Sequence, residues 1–279
     1  MYNYNGQIAE TFAIDIENNR AFLYGDAVFE TIKVLEGKIL FLEDHYFRLM
    51  SSMRILRMQI PMDFTMEFFE EEIFKTISLL GNSNSFRIRI TIFREGPGLY
   101  APESKNVSYL IQAKLLDNGS YIYNTDSDLE VELFKDFSIN PQLISTLKST
   151  NRMVQITASI FAKENDYGNC LILNTDKNVA EAIDSNLFMV VGNTIVTPPV
   201  QDGCVAGIFR KQLISILKKN TDFVLEERSI SAFELQKADE LFLTNIIKGI
   251  QPIKKYRKKV YEQKVSKDIF DLFLNSLTN

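Results

Sequence analysis

Residues Phe86-Arg87-Ile88-Arg89-Ile90-Thr91-Ile92-Phe93 alternate apolar and polar without a break. Successive side chains of a strand point to opposite faces, so Phe86, Ile88, Ile90 and Ile92 share one face and Arg87, Arg89 and Thr91 the other. The segment is a strand with one face in a core and one polar face. Its neighbours read the same way. Glu95-Gly96-Pro97-Gly98 closes it with a loop, and Val107–Leu115 is the next strand. The first 40 residues read as hairpins, with turns at Asn5-Gly6 and Glu36-Gly37, a strand from Val28 to Val34 and a return from Ile39 to Leu42. Helices follow from about Glu43, where Tyr46, Leu49, Met50, Met53 and Leu56 recur at helical spacing, and from Thr65 to Leu80, stopped by Gly81 and Asn82.

Asp117-Asn118-Gly119-Ser120 breaks this strand-rich half from a second one. We expect a domain over 1–116, a linker over 117–124 and a second domain over 125–279. The second half opens with a strand at Leu129–Phe134. A helix follows from about Asn151 to Glu164, then strands at Cys170–Asn174, Leu187–Val191 and Thr194–Val196. A helix from Gly207 to Lys218 and a strand at Glu240–Thr244 complete the pattern. The mixed order favours an α+β / α/β two-domain fold over a Rossmann sheet, and there is no GxGxxG string for a dinucleotide.

Composition excludes several functions. A net charge of −5 speaks against a general nucleic-acid binder. The basic run Lys254-Lys255-Tyr256-Arg257-Lys258-Lys259 reads as a solvated strand or loop. No apolar run reaches the roughly 20 residues needed to span a bilayer, and Met1-Tyr2-Asn3-Tyr4 does not open a secretory signal. Cys170 and Cys204 fit no zinc or redox spacing and read as reduced packing residues of a cytoplasmic protein. A single histidine, His45, rules out a His-rich metal site.

Three strings carry the chemistry: Tyr24-Gly25-Asp26-Ala27-Val28-Phe29-Glu30-Thr31, Leu147-Lys148-Ser149-Thr150-Asn151-Arg152, and Val179-Ala180-Glu181 running on to Asn186-Leu187-Phe188. In this order they resemble the class IV aminotransferases, pyridoxal-phosphate enzymes of fold type IV. That group includes branched-chain aminotransferases, D-amino-acid aminotransferases and aminodeoxychorismate lyases. The resemblance covers Tyr24 to about Pro252. It implies a D-amino-acid-aminotransferase-like fold with the active site between the domains, and a homodimer in which a loop of the neighbouring subunit completes the site.

The resemblance also assigns roles. Lys148 is the lysine joined to the cofactor and moves the proton at the substrate Cα; burial beside the cofactor would lower its pKa and free the amine. Glu181 faces the pyridine nitrogen and keeps it protonated, although Ala182-Ile183-Asp184 departs from the small residues usual after it. Gly207-Ile208-Phe209-Arg210 resembles the family's phosphate-binding string at a helix start, where N–H groups and the dipole suit an anion. Phe209 replaces a hydroxyl there, so backbone groups carry more of that contact. Thr244, in Leu243-Thr244-Asn245, is a second phosphate ligand, with Asn245 beside it. Arg48 pairs with the phosphate, and His45, three residues earlier on the same helix face, reads as a structural hydrogen-bonder.

On the substrate side, Tyr24, Phe29 and Thr31 belong to the strand that lines the pocket in the family, and Arg89 is the candidate for the substrate carboxylate. Thr31, Phe209 and the Lys-x-x-Asn-Arg string lean towards the lyase. Against it, Gly98-Leu99-Tyr100 lacks the arginine of the lyases' Arg-Gly-Tyr string. The leading expectation is transamination between a branched-chain-like amino acid and a 2-oxo acid. The alternative is 4-amino-4-deoxychorismate lyase, releasing pyruvate and 4-aminobenzoate. A protein that kept the fold and lost the chemistry is the third reading.

Overall fold

In the computed structural model, which describes residues 1–81 and 83–278, the chain divides into two units. One holds Met1–Ser120 and Leu147–Asn151, the other Tyr121–Thr146 and Arg152–Asn279. Asn82, half of the helix stop read from the sequence, and Asn279 lie outside the described residues.

The first unit contains β1 (Tyr2–Tyr4), β2 (Gln7–Ala9), α1 (Arg20–Tyr24), β3 (Ala27–Leu35), β4 (Lys38–Ile39), α2 (Leu42–Ile55), α3 (Met66–Ile77), β5 (Phe86–Arg94) and β6 (Val107–Leu115). Its strands form one antiparallel sheet in the order β2-β1-β6-β5-β3-β4. Asn5-Gly6 and Glu36-Gly37 both have positive φ at both positions, the twist that a two-residue hairpin needs. α3 starts where Thr65 accepts the Phe68 N–H. Val28, Ile32, Ile88, Ile90 and Ile111 of the sheet pack with Leu49 and Met53 of α2 and Phe69 and Ile73 of α3 into one core. The opposite face of β5 carries the arginines, as the alternation requires. Tyr24 departs from expectation. It is the last residue of α1, capped by Gly25 in the left-handed conformation, and not part of the strand, which begins at Ala27.

The second unit contains β7 (Glu130–Ile139), α4 (Met153–Glu164), β8 (Asn169–Asn174), β9 (Val179–Ala182), β10 (Asn186–Val191), β11 (Thr194–Thr197), α5 (Ile208–Lys219), β12 (Val224–Glu227), β13 (Glu240–Asn245), β14 (Gly249–Pro252), β15 (Lys255–Tyr256), β16 (Lys259–Val260) and α6 (Val265–Thr278). Two five-stranded sheets, β12-β11-β10-β13-β14 and β16-β15-β7-β8-β9, share a core that includes Val131, Leu133, Leu171, Leu187, Leu241 and Leu243. α4 covers the far side of the second sheet through Phe134, Ala158, Ala162 and Ile172. The basic run is a hairpin with solvated lysines, but Tyr256 within it is fully buried. Among the described residues no helix is long and apolar enough to cross a membrane.

β13 shows how alternation positions functional groups. Leu241 and Leu243 enter the shared core, which leaves Glu240, Phe242 and Thr244 on the other face. Glu240 is buried there and accepts the N–H groups of Lys264, Val265 and Ser266 at 2.7, 2.6 and 2.9 Å, and the Ser266 hydroxyl at 2.6 Å. A carboxylate from a distant strand thus satisfies the start of α6, a helix that the sequence reading missed. Glu240→Ala should lower unfolding stability by roughly 2–3 kcal/mol, because several buried donors lose a charged acceptor. Urea denaturation checks this, and an unchanged midpoint would refute the capping role.

Candidate active site

Lys148 belongs to a short strap bonded to β3. Phe29 N–H donates to Lys148 O at 2.8 Å and Thr150 N–H to Ala27 O at 3.0 Å. Ser149 bridges Val28. The Asn151 amide and the Thr150 hydroxyl both donate to Gly25 O, at 2.9 and 3.0 Å. With its backbone held this way, Lys148 places Nζ 4.5 Å from the centroid of the Phe29 ring. The Arg89 guanidinium lies 3.7 Å from the same centroid. Arg89 Nε also donates to Thr91 at 3.3 Å, and burial, then the charge of Arg87, lower its pKa. Thr31 is buried on the same sheet face and stands opposite Arg89 in register. The first unit therefore brings together an amine, an aromatic ring, a hydroxyl and a guanidinium. Tyr24 is set apart on α1, where its ring meets Tyr100 at 6.0 Å and the Arg20 guanidinium at 4.7 Å.

Beneath β3, on its core face, Glu30 is buried and gathers two partners from α2. Arg48 forks onto it, Nε to Oε1 at 2.7 Å and Nη2 to Oε2 at 2.5 Å, and His45 Nδ1 lies 2.8 Å from Oε2. Sequence reasoning assigned Arg48 to a phosphate; in the structure one edge of its guanidinium is spent on Glu30. Burial alone would raise the Glu30 pKa, but the Arg48 charge and then His45 hold it at about 2. Burial pushes the His45 pKa below its ordinary 6.5, and Glu30 opposes this without overcoming it. His45 Nε2 is buried with no hydrogen-bond partner among the described residues, as suits a neutral ring. Glu30 had no clear role in the sequence, because nothing there shows that it faces α2.

In the second unit Glu181 is a buried residue of β9, opposite Ile172 of β8. Its oxygens accept from Gln155 Nε2 and from the Val205 N–H, both at 2.8 Å. The chain then runs from Val205 to Gly207, which caps α5 without a side chain. Thr244 of β13 pairs in register with Asn186 of β10, and its hydroxyl donates to Asn186 O at 3.4 Å. The Asn186 side chain donates to Val205 O at 2.9 Å and lies so close to Gly207 that a Cβ there would overlap Oδ1. Phe209 turns its ring to Phe273, at 4.4 Å between centroids. Ile208 is buried at the first turn. Arg210 is committed to Pro198 O and Glu227. The Asn245 side chain braces a turn, donating to Asp184 O and accepting from Ile247 and Lys248.

These residues fit a phosphate-bearing cofactor. The first N–H groups of α5 have no carbonyl one turn earlier, the residue in front of them is a glycine pressed against its neighbour, and a buried hydroxyl lies on the adjoining strand. A helix start of this kind is an anion site. A buried carboxylate on the same unit suits a protonated ring nitrogen. Gln155 and the Val205 N–H escaped the sequence reading, and Asn186 stood in the third string without a role, because only strand register and the helix position connect them to Glu181 and Thr244.

The profile of the family described as "Amino-transferase class IV" matches residues 27–256. The "Branched-chain-amino-acid aminotransferase-like protein 2" of Arabidopsis thaliana is 28% identical over 241 residues, covering 85% of this chain but only 42% of that protein. The aminodeoxychorismate lyase of Vibrio harveyi is 23% identical over 241 residues, covering 84% of each. Among solved structures, the branched-chain amino acid aminotransferase of Escherichia coli superposes with a TM-score of 0.87 at 21% identity, covering 98% of this chain and 93% of that one.

The buried cluster makes stability depend on pH in two windows. Unfolded His45 takes up a proton below about 6.5 while the folded ring resists, so stability falls as pH drops through that value. Unfolded Glu30 takes up its proton near 4.5 while the folded carboxylate holds out to about 2, so a second loss runs between those values. Each window has a slope of at most about 1.4 kcal/mol per pH unit. With one histidine in the chain, His45→Gln should abolish the upper window and leave the lower one, as read from denaturant midpoints between pH 8 and pH 3. An upper slope that survives the substitution would contradict this.

Proposed function

The chain belongs to the class IV aminotransferases, and from that membership we propose that it transfers an amino group between a branched-chain-like amino acid and a 2-oxo acid. The observation that carries the reading is the Lys148 amine and the Arg89 guanidinium meeting over one Phe29 ring. An amine able to move a proton at Cα stands beside a cation able to hold the carboxylate on that same carbon.

The family works through pyridoxal phosphate. When bound, that group supplies an electron-withdrawing ring that stabilises negative charge at the substrate Cα. Lys148 would hold its aldehyde carbon and Glu181 its pyridine nitrogen. The α5 N–H groups, Thr244 and Arg48 would hold its phosphate, with Asn245 fixing the end of β13. Arg89 orients the substrate carboxylate. Thr31 offers a hydroxyl beside it, and the Phe29 ring walls the amine from water. Tyr24 would close the pocket from α1. Glu30 and His45 orient Arg48 and touch no reacting atom.

Three further points belong to the proposal. A homodimer is supported by an apolar stripe on α4, where Met153, Ile156 and Ile160 at i, i+3 and i+7 are 68%, 49% and 52% exposed. A cytoplasmic location is supported by two buried, unpaired cysteines whose thiols burial holds protonated. The second reading, aminodeoxychorismate lyase, is favoured by Thr31, whose buried hydroxyl lies opposite Arg89.

The test is a half-reaction. Purified protein loaded with pyridoxal phosphate is mixed with leucine, valine, D-alanine or glutamate, and the cofactor absorbance is followed. At least one amino acid should convert it to the amine form, and Lys148→Ala should slow the conversion at least ~100-fold, the scale of losing a positioned base. Failure with every amino acid, together with 4-aminobenzoate release from aminodeoxychorismate, would reverse the ranking in favour of the lyase.

A further inference from the structure

Tyr121 opens the second unit and is buried there. It touches both elements that flank the anion site. On one side its ring stands edge-on to Phe209, in the first turn of α5, with 5.8 Å between centroids and 70° between planes. Phe273 of α6 completes the group, 5.3 Å from the Tyr121 ring and 4.4 Å from that of Phe209. All three rings are buried. Edge-to-face rings at such separations attract beyond the area they bury. The start of α5 is therefore braced by packing at the position where Phe209 brings no hydroxyl.

On the other side the Tyr121 hydroxyl donates to Ile246 O at 2.6 Å. Ile246 follows Thr244 and Asn245 and begins the turn from β13 into β14. Asn245 accepts the Ile247 and Lys248 N–H groups inside that turn and pairs in register with Gly249. Gly249 has a φ of +77°, and a Cβ on it would stand 2.8 Å from Tyr121 Cδ1. The turn is thus shaped around the tyrosine: a glycine leaves room for the ring, and a carbonyl takes the hydroxyl. Burial raises the Tyr121 pKa, so the hydroxyl keeps the proton it donates.

We propose that Tyr121 is a positioning residue for the cofactor phosphate, setting the distance between the start of α5 and the Thr244 end of β13. A group held between two elements is bound well only while they keep their spacing to within about 0.5 Å. One side chain that packs on the first element and hydrogen-bonds the turn of the second supplies that constraint without touching the phosphate. The inference rests on the placement of the phosphate at α5 and Thr244 given above, and it is independent of which amino acid reacts.

The test compares two cofactor forms. Pyridoxal phosphate and pyridoxal, which has the same ring and aldehyde but no phosphate, are each titrated into the full chain stripped of cofactor, and Kd is read from the absorbance change. The ratio of the two constants isolates the phosphate. Tyr121→Phe, which removes the hydroxyl alone, should weaken pyridoxal phosphate about fivefold, the scale of one net hydrogen bond, and leave pyridoxal within about twofold. Tyr121→Leu, which also removes the ring, should weaken pyridoxal phosphate about tenfold or more, again with little effect on pyridoxal. A purely structural role, in which the variants loosen the whole unit, would weaken both forms together, and that result overturns the proposal. Thr244→Val tests the placement of the phosphate separately. If it lowers the ratio while Tyr121→Phe and Tyr121→Leu do not, the placement stands and the positioning role fails. If none of the three lowers the ratio, the placement fails and takes the proposal with it. A Tyr121→Phe effect without one from Thr244→Val leaves the phosphate to α5 and supports the brace on that helix.

Discussion

The hydrogen bonds between the 147–151 strap and β3 are the constraint on which the site's chemistry depends. A lysine amine on a long stem is a poor reagent unless its backbone is fixed, since free rotation would spread Nζ over several ångströms. Phe29 N–H to Lys148 O and Thr150 N–H to Ala27 O fix it from both sides. Because β3 supplies these bonds, the residues of β3 are automatically the amine's surroundings. Phe29 becomes its wall and Thr31 its neighbour one row on. Glu30 goes to the opposite face, where a carboxylate next to the amine would otherwise have formed a simple ion pair.

The same alternation explains where charge is buried. Glu30 sits on the core face of β3 among Val28, Ile32 and Val34, a position that an isolated carboxylate could not keep in ionised form. It keeps it because α2 delivers Arg48 and His45 three residues apart, so both reach one carboxylate. The arginine neutralises the charge, and the neutral histidine donates a hydrogen bond to it through Nδ1–H. On β13, likewise, alternation gives one face to the shared core and the other to helix starts. Glu240 serves α6 through its N–H groups, and Thr244 lies beside the start of α5. One strand thus addresses two helix N-termini, one closed by a protein carboxylate and one left to the backbone.

Most strands were legible because they alternate or end in turn residues: β5 and β6 on their pattern, the two hairpins on Asn5-Gly6 and Glu36-Gly37. α6 was not, because its start is capped from β13, and local sequence holds no sign of a remote cap. β9 is four residues long and uniformly buried, so it has no polar face to reveal its period. Tyr24 was misplaced because the short helix α1 ends in a left-handed glycine that looks from sequence like a lead into the strand. Lys148 and Glu181 stood out by their strings. Glu181's partners Gln155 and Val205 did not, since each depends on which elements are neighbours.

Net charge and local charge diverge in this protein, and the divergence bears on its substrate. The chain as a whole is at −5, which would repel an anion at long range. At physiological ionic strength, however, exposed charges beyond about 8 Å are largely screened. The outward face of β3, β5 and β6 carries Arg89 on one row and Arg87 on the next, flanked by the buried Lys33 and the exposed Lys114. A carboxylate brought to this face would therefore find positive charge close by, whatever the sign of the whole chain.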